Sequence, residues 1–313
     1  MSQPLSCAVT GAFGYSGRYI AERLLAGGHT VRTLTNSPGR HSPLAGRVAV
    51  HPLAFGDASA LKAALTGADV LVNTYWVRFN HREFTFAHAI ENSLRLFDAA
   101  KAAGVRRIVH VSITNPSESS PFEYFRGKAR LERALGDLGL SHAILRPAVL
   151  FGGEDILINN IAWMLRHLPA FGVFGNGQYQ LQPIHVEDLA ALAVEQVAAS
   201  ADVTLDAIGP ETFTYRQLVQ TIADAIGVHK RIISVAPWQG LITAKAVERI
   251  TGDVLITRDE IGGLMAGLLA TYSPPTGTTR LSEWARANAD TLGRHYASEL
   301  GRRRDRERAY GAD

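Results

Sequence analysis

Between Val9 and Ile20 the chain reads VTGAFGYSGRYI, with Gly11, Gly14 and Gly17 three residues apart. A short apolar segment, LSCAV, runs ahead of them. Behind them YIAERLLAGG has helical spacing and stops at Gly27 and Gly28. Glycine lacks the Cβ that holds two backbones apart. Three glycines at this spacing therefore fit a chain that leaves a strand, turns tightly and enters a helix within a few residues. Such a turn has two readings. It is a close strand–helix junction with no ligand, or a cradle where backbone N–H groups at a helix start meet an anion.

The pattern downstream decides between them. HTVRTLT, RVAVHPLAFGD, DVLVNTYW, RRIVHVSIT and SHAILRPAVLFG are apolar, strand-like runs, and ASALKAALTGA, FTFAHAIENSLRLFDAAKAAGV and EYFRGKARLERALGDLG are helical stretches between them. With the first run this makes six strands, each nearly all apolar, as expected of a parallel sheet covered by helices on both faces. The expected fold is α/β, a doubly wound parallel sheet of the Rossmann type with a smaller mixed C-terminal cap. The dinucleotide-binding domain is expected over 1–152, with 184–209 returning to it and the cap formed by 153–183 and 210–313. Beyond Gly152 the alternation loosens into helical stretches over 155–167, 186–199, 215–226 and 239–251. The pieces TLDAIG and RIISVAP read as short strands among them. In this setting the glycine triplet reads as a pyrophosphate cradle.

Composition narrows the partners. Of 313 residues 46% are hydrophobic and 19% charged, with a net charge of only +3. Much of the surplus sits in the closing GRRRDRERAYGAD, which reads as a solvated tail rather than a nucleic-acid arm. A single cysteine, Cys7, excludes a disulfide within the chain and fits a reducing compartment. The opening MSQPLSCAVTG has no basic segment before an apolar core, and no run approaches a membrane span, so a cytoplasmic setting is expected. No His, Cys and carboxylate cluster has metal-ligand spacing. A small-molecule substrate is the expected partner, and an oligomer is left open.

With Thr10 ahead of it, the glycine triplet resembles the T-G-x-x-G-x-x-G of the short-chain dehydrogenase/reductase superfamily in its extended and atypical branches. The resemblance continues in order along the chain: Tyr124 and Lys128 in YFRGK, Ser112 and Thr114 in HVSIT, Arg146 and Pro147 in LRPAVLFG, and the IHVEDLA segment from Ile184 to Ala190. It implies Thr114, Tyr124 and Lys128 as the catalytic set. It also implies a cofactor site built from Gly11, Phe13, Gly14, Tyr15, Gly17, Asn36, Ser37, Arg40, Asp57, Thr74, Tyr75, Ser112, Lys128 and Pro147. The segment between Thr114 and Tyr124, NPSESSPFE, is short, and the second aromatic motif of many extended members is absent. This departure points away from a sugar-nucleotide epimerase or dehydratase. It points toward the group that includes isoflavone-reductase-like, negative-regulator-like and complex I accessory-subunit-like proteins.

The chemistry that this resemblance implies is hydride transfer. A free tyrosine, with a pKa of about 10, is too weak an acid at neutral pH, and a nearby ammonium favours its phenolate. Tyr124 and Lys128 are four residues apart and share one helix face. No acid ends the second strand, where NAD enzymes hold the ribose hydroxyls. TLTNSPGR instead offers Asn36, Ser37 and Arg40, so NADP(H) is the expected cofactor, with NAD(H) possible. Trp76, Asn159, Asn160 and Trp163 are the substrate candidates, although Tyr75 and Trp76 equally fit core packing. The expected function is an NADP(H)-dependent oxidoreductase acting on a small carbonyl or conjugated substrate. The alternatives are a redox-silent NAD(P)-binding sensor or assembly protein, and an epimerase or dehydratase recycling tightly bound NAD.

Overall fold

The computed structural model describes residues 3–82 and 84–307. Glu83 and the end of the basic tail, 308–313, lie outside the described residues. The chain divides into two compact units, Met1–Pro147 with Glu187–Ala207, and Ala148–Val186 with Ile208–Asp313.

The first unit runs β1 (Ser6–Thr10), α1 (Tyr15–Ala26), β2 (Thr30–Thr35), β3 (Ala49–Pro52), α2 (Ala58–Leu65), β4 (Val70–Asn73), α3 (Phe86–Ala102), β5 (Arg107–Val111), α4 (Glu123–Asp137) and β6 (Ser141–Pro147). The second unit opens with β7 (Val149–Phe151), α5 (Leu157–His167), β8 (Ala170–Phe174), β9 (Gln180–Leu181) and β10 (Pro183–His185). Helix α6 (Val186–Ala198) and β11 (Val203–Ala207) then carry the chain back to the first unit. β12 (Phe213–Thr214), α7 (Tyr215–Ala225), β13 (Arg231–Val235), α8 (Pro237–Thr251), α9 (Arg258–Met265), α10 (Leu281–Ala287) and α11 (Glu299–Arg304) complete the second unit.

The first unit is a seven-stranded sheet in the order β11-β6-β5-β4-β1-β2-β3. Every pairing in it is parallel. Ala8, Leu71, Ile108 and Ile144 pack with Leu61, Leu96, Phe97, Leu131 and Leu135 of α2, α3 and α4. Side chains alternate across a strand, so Cys7, Val9, Val70, Val72, Val109 and Leu145 point to the other face, and they too are buried. Both faces are therefore covered, which is why these strands read as unbroken apolar runs. The strand order reverses between β1 and β4. In a doubly wound sheet that reversal opens a crevice at the carboxyl ends of the strands.

The second unit has three two-stranded sheets, β10-β7, β12-β9 and β13-β8. They share a core with α5, α7 and α10 built on Phe151, Ile161, Phe171, Leu218, Ile222 and Ala285. Two helix starts differ from the sequence expectation. Helix α5 begins at Leu157 rather than at 155, because the Asp155 carboxylate stands outside it and accepts from Ile158 N at 2.8 Å. Helix α8 begins at Pro237 rather than at 239, since proline suits a first-turn position whose N–H has no helical partner.

Candidate functional site

The glycine turn is built from backbone contacts. Gly11 takes φ +67°, a conformation that favours glycine, and its N–H donates to Leu34 O at 3.0 Å. Ala12 N donates to Thr33 Oγ1 at 3.1 Å, and Gly14 N to Gly11 O at 2.8 Å. A Cβ on Gly17 would fall 2.4 Å from Gly11 O, so the helix can start this close to the strand only with glycine there. Gly14 is the N-cap of α1, no side chain caps the helix, and no acid stands in its first turn. A helix start without a cap or an acid suits an anion. Phe13 is buried and anchors the turn, and Tyr15 packs edge-on to Tyr19.

Across the crevice, the ends of β1 and β4 are tied together. Thr10 Oγ1 accepts from Thr74 N at 2.8 Å and Tyr75 N at 3.1 Å, while Thr74 Oγ1 donates to Thr10 O at 2.6 Å. The line continues sideways through buried polar groups. Thr10 Oγ1 meets Asn73 Oδ1 at 3.0 Å, and Asn73 Nδ2 meets His110 Nδ1 at 3.1 Å on β5. Burial, and then the charge of Lys128, hold the His110 imidazole well below its ordinary pKa, so the ring is neutral. With Asn73 donating to Nδ1, the proton sits on Nε2, which has no hydrogen-bond partner among the described residues. Trp76 Nε1 is a second buried donor of that kind.

Lys128 is 2% exposed on the inner face of α4. Its Nζ donates to Val111 O at 2.8 Å, at the carboxyl end of β5, and lies 4.4 Å from the centroid of the Trp76 ring. Burial pulls its pKa from 10.5 down to about 7, against the opposing pull of Glu132. Tyr124, one turn earlier, packs against Trp76 at 5.6 Å and 79° and against Phe86 at 5.7 Å and 83°. Thr114 is fully buried just beyond β5, with its N–H on Pro147 O at 3.1 Å.

Several candidates make contacts within the fold. Ser112 Oγ donates to Glu132 Oε1 at 2.5 Å, and Arg146 forms an ion pair with the same carboxylate. Ser112 thus belongs to a brace between β5, α4 and β6 rather than to a ligand surface. Asn160 Nδ2 donates to Ala297 O and its Oδ1 accepts from Ala297 N, both at 2.9 Å. Asn159 Nδ2 donates to His295 O at 2.9 Å and its Oδ1 accepts from Gly293 N at 3.0 Å. The two amides fasten segment 293–297 to α5, which removes them from the substrate set. Trp163 stacks on His167 at 4.6 Å in the same unit. Asp57 Oδ1 caps α2 through Ala60 N at 2.9 Å. Tyr75 packs on Phe55 at 4.7 Å, and its hydroxyl accepts from Asn92 Nδ2 at 3.0 Å.

At the end of β2, Ser37 N donates to Thr35 Oγ1 at 3.0 Å, and Arg40 N closes a turn on Ser37 O at 3.2 Å. Arg40 is 8% exposed, so it is held against the protein rather than waving from a loop. The residues that the sequence reading missed are Asn73, His110 and Glu132. Glu132, four residues after Lys128 on the same helix face, was the one signal available for the brace. Among the described residues no group of three or more His, Cys, Asp or Glu is placed to hold a metal ion. No helix among them is long and apolar enough to cross a membrane.

A glycine-cradled helix start at the switch point of a parallel sheet defines a dinucleotide-binding domain. The chain belongs to the NAD(P)H-binding family, whose model matches residues 11–200. It is 32% identical over 231 residues to the NADH dehydrogenase [ubiquinone] 1 alpha subcomplex subunit 9 of Arabidopsis thaliana, covering 70% of this chain and 57% of that protein. It therefore spans less than two thirds of that relative. Identity to the NADH-ubiquinone oxidoreductase 40 kDa subunit of Neurospora crassa is 28%, covering 80% of this chain and 72% of the relative. An NADPH-dependent quinone oxidoreductase from Escherichia coli, solved with NADPH, superposes with a TM-score of 0.75 at 22% identity. The match covers 90% of this chain and 99% of that one, and it shows the shared fold.

Proposed function

We propose that the protein is an NADP(H)-dependent oxidoreductase that transfers hydride to or from a small carbonyl or conjugated substrate. The observation that carries the reading is the Lys128 ammonium. It is buried at the carboxyl end of β5 with a pKa of about 7, one helical turn from Tyr124. A merely structural lysine has little reason to be desolvated there, and an acid of that strength is matched to proton exchange near neutral pH.

The residues present fit the cofactor. The turn from Gly11 to Gly17, with Phe13 and Tyr15, holds the pyrophosphate. Asn36, Ser37 and Arg40 would hold the adenosine ribose and its 2′-phosphate, Asp57 would meet the adenine, and Thr74, Tyr75 and Pro147 would border the nicotinamide end. When bound, NADPH supplies the hydride. Thr114 donates a hydrogen bond to the substrate oxygen. Tyr124 gives its phenolic proton to that oxygen as negative charge develops on it. Lys128 stabilises the phenolate left on Tyr124 and orients the neighbouring ribose, and solvent restores the Tyr124 proton.

The second reading is a nucleotide-binding subunit that turns nothing over, favoured by the respiratory-complex names of the relatives. A panel of aldehydes, ketones, enones and quinones separates the two, with NADPH consumption followed at 340 nm in the wild type and in Tyr124→Phe. Turnover that the variant loses supports the oxidoreductase. Tight NADPH binding with no turnover across the panel supports the subunit.

A further inference from the structure

We propose that Trp76 is the positioning residue of the Tyr124–Lys128 pair, its ring face receiving the Lys128 ammonium while its indole packs across the Tyr124 ring. The inference rests on the reading of that pair given above. Trp76 leaves β4 three residues beyond its end, and one side chain meets both members of the pair. It is itself held by stacking on Phe86 at the start of α3, 5.9 Å away at 21°.

An ammonium has three N–H donors, and burial takes water from all of them. Val111 O receives one. Each group that faces Lys128 from the surrounding elements offers little more. Glu132, on the same helix, is shared with Ser112 and with the Arg146 guanidinium. His110, on β5, is neutral. Tyr124 brings a phenol and no carboxylate. From β4 comes the indole face, whose negative quadrupole attracts a cation within about 6 Å of the centroid. At 4.4 Å, Trp76 supplies electron density to Lys128 without a second carboxylate, which would raise the Lys128 pKa out of the useful range.

Gly127 shows that the contact is built in. A Cβ there would fall 3.1 Å from Trp76 Cη2 and 2.9 Å from Ile90 Cδ1. The glycine between Tyr124 and Lys128 thus lets the indole lie against the helix at the point where the pair is carried.

The test needs no substrate. The chain has five lysines, so [13Cε]lysine labelling gives a simple spectrum in which Lys128→Met identifies the Lys128 signal. Its titration midpoint is then read in the full chain. Trp76→Phe keeps a smaller and weaker ring face and lowers the midpoint by less than Trp76→Leu does. Trp76→Leu removes the face and lowers the midpoint by about one pH unit. Site-specific replacement of Trp76 by mono- and trifluorotryptophan keeps the shape, drains the ring quadrupole and lowers the midpoint stepwise. That series carries the test even if Trp76→Leu does not fold. A midpoint indifferent to fluorination, or rising with it, overturns the proposal. Failure to find any turnover would undo the oxidoreductase reading and leave this result to be judged by its own midpoints.

Discussion

The carbonyl oxygen of Gly11 occupies the place where a side chain on Gly17 would begin, 2.4 Å from the Cβ built there. The neighbour is backbone rather than the end of a flexible side chain, so it cannot swing aside. Gly17→Ala should therefore push α1 away from β1, costing about 2–3 kcal/mol as overpacking does. At Gly14 the corresponding distance is 3.1 Å and φ is −93°, which any residue adopts. Gly14→Val should cost less stability, about 1 kcal/mol, while filling the anion cradle. Chemical denaturation and calorimetry of NADPH binding check the split: the first variant loses stability, the second chiefly affinity. Unchanged NADPH affinity in a folded Gly14→Val would sink the cradle.

Lys128 gives a pH dependence of definite sign. Its pKa falls from 10.5 in the unfolded chain to about 7 in the fold. Between those values the unfolded chain binds more protons, so this group makes stability rise with pH. Below about pH 7 the full cost of burying the ammonium is present, and toward pH 10.5 it is relieved. Lys128→Met should therefore be more stable than the wild type at pH 6.5, by on the order of 2–4 kcal/mol. The advantage should vanish by pH 10. Urea unfolding of both proteins across this range reads the difference directly, and a gap that does not change with pH would show that Lys128 is not desolvated.

In the proposed reading the Tyr124 hydroxyl supplies the proton. Its ring packs against Trp76, Phe86 and Phe125, and phenylalanine retains that packing. Tyr124→Phe should keep NADPH affinity and thermal stability close to the wild type. It should lower turnover by about two to four orders of magnitude, the usual worth of a general acid. Steady-state kinetics on any substrate found in the screen, with NADPH affinity measured alongside, checks both halves of this expectation.

What the sequence made legible was whatever local chemistry repeats. The strands buried on both faces read as apolar runs, and the glycine turn read as bare backbone because Gly11 and Gly17 permit one geometry. The seventh strand was visible only as a loose fragment, TLDAIG, since its partner β6 lies some sixty residues earlier. The same distance effect hid the polar line from Thr10 through Asn73 to His110, three residues from three strands with no common spacing. Asn159 and Asn160 looked available because their segment resembles the substrate loop of extended members. Nothing local revealed that a segment more than 130 residues away would consume them. Trp76 had two readings, pocket wall or core, and its packing on Lys128 and Tyr124 depends on Gly127 of α4, remote from it in sequence.

In the proposed reading, cofactor choice turns on Arg40. NADPH differs from NADH by a 2′-phosphate carrying up to two negative charges, and no acid in TLTNSPGR repels it. The turn from Ser37 to Arg40 fixes the backbone at the end of β2, and Arg40 is already held against the protein at 8% exposure. Less side-chain freedom is then lost when it meets a phosphate. A charge-assisted contact contributes about 1.5–3 kcal/mol, so NADPH should bind roughly ten- to a hundredfold more tightly than NADH. Arg40→Ala should remove most of that preference and leave NADH affinity nearly unchanged. Salt should narrow the gap only modestly, because a buried cation is screened less than an exposed one. Fluorescence titration of both cofactors at low and high salt, in wild type and variant, measures all of these terms. Equal affinities in the wild type, or tighter NADH, would mean that Asn36 and Ser37 serve ribose hydroxyls and that Arg40 holds the loop instead of the phosphate.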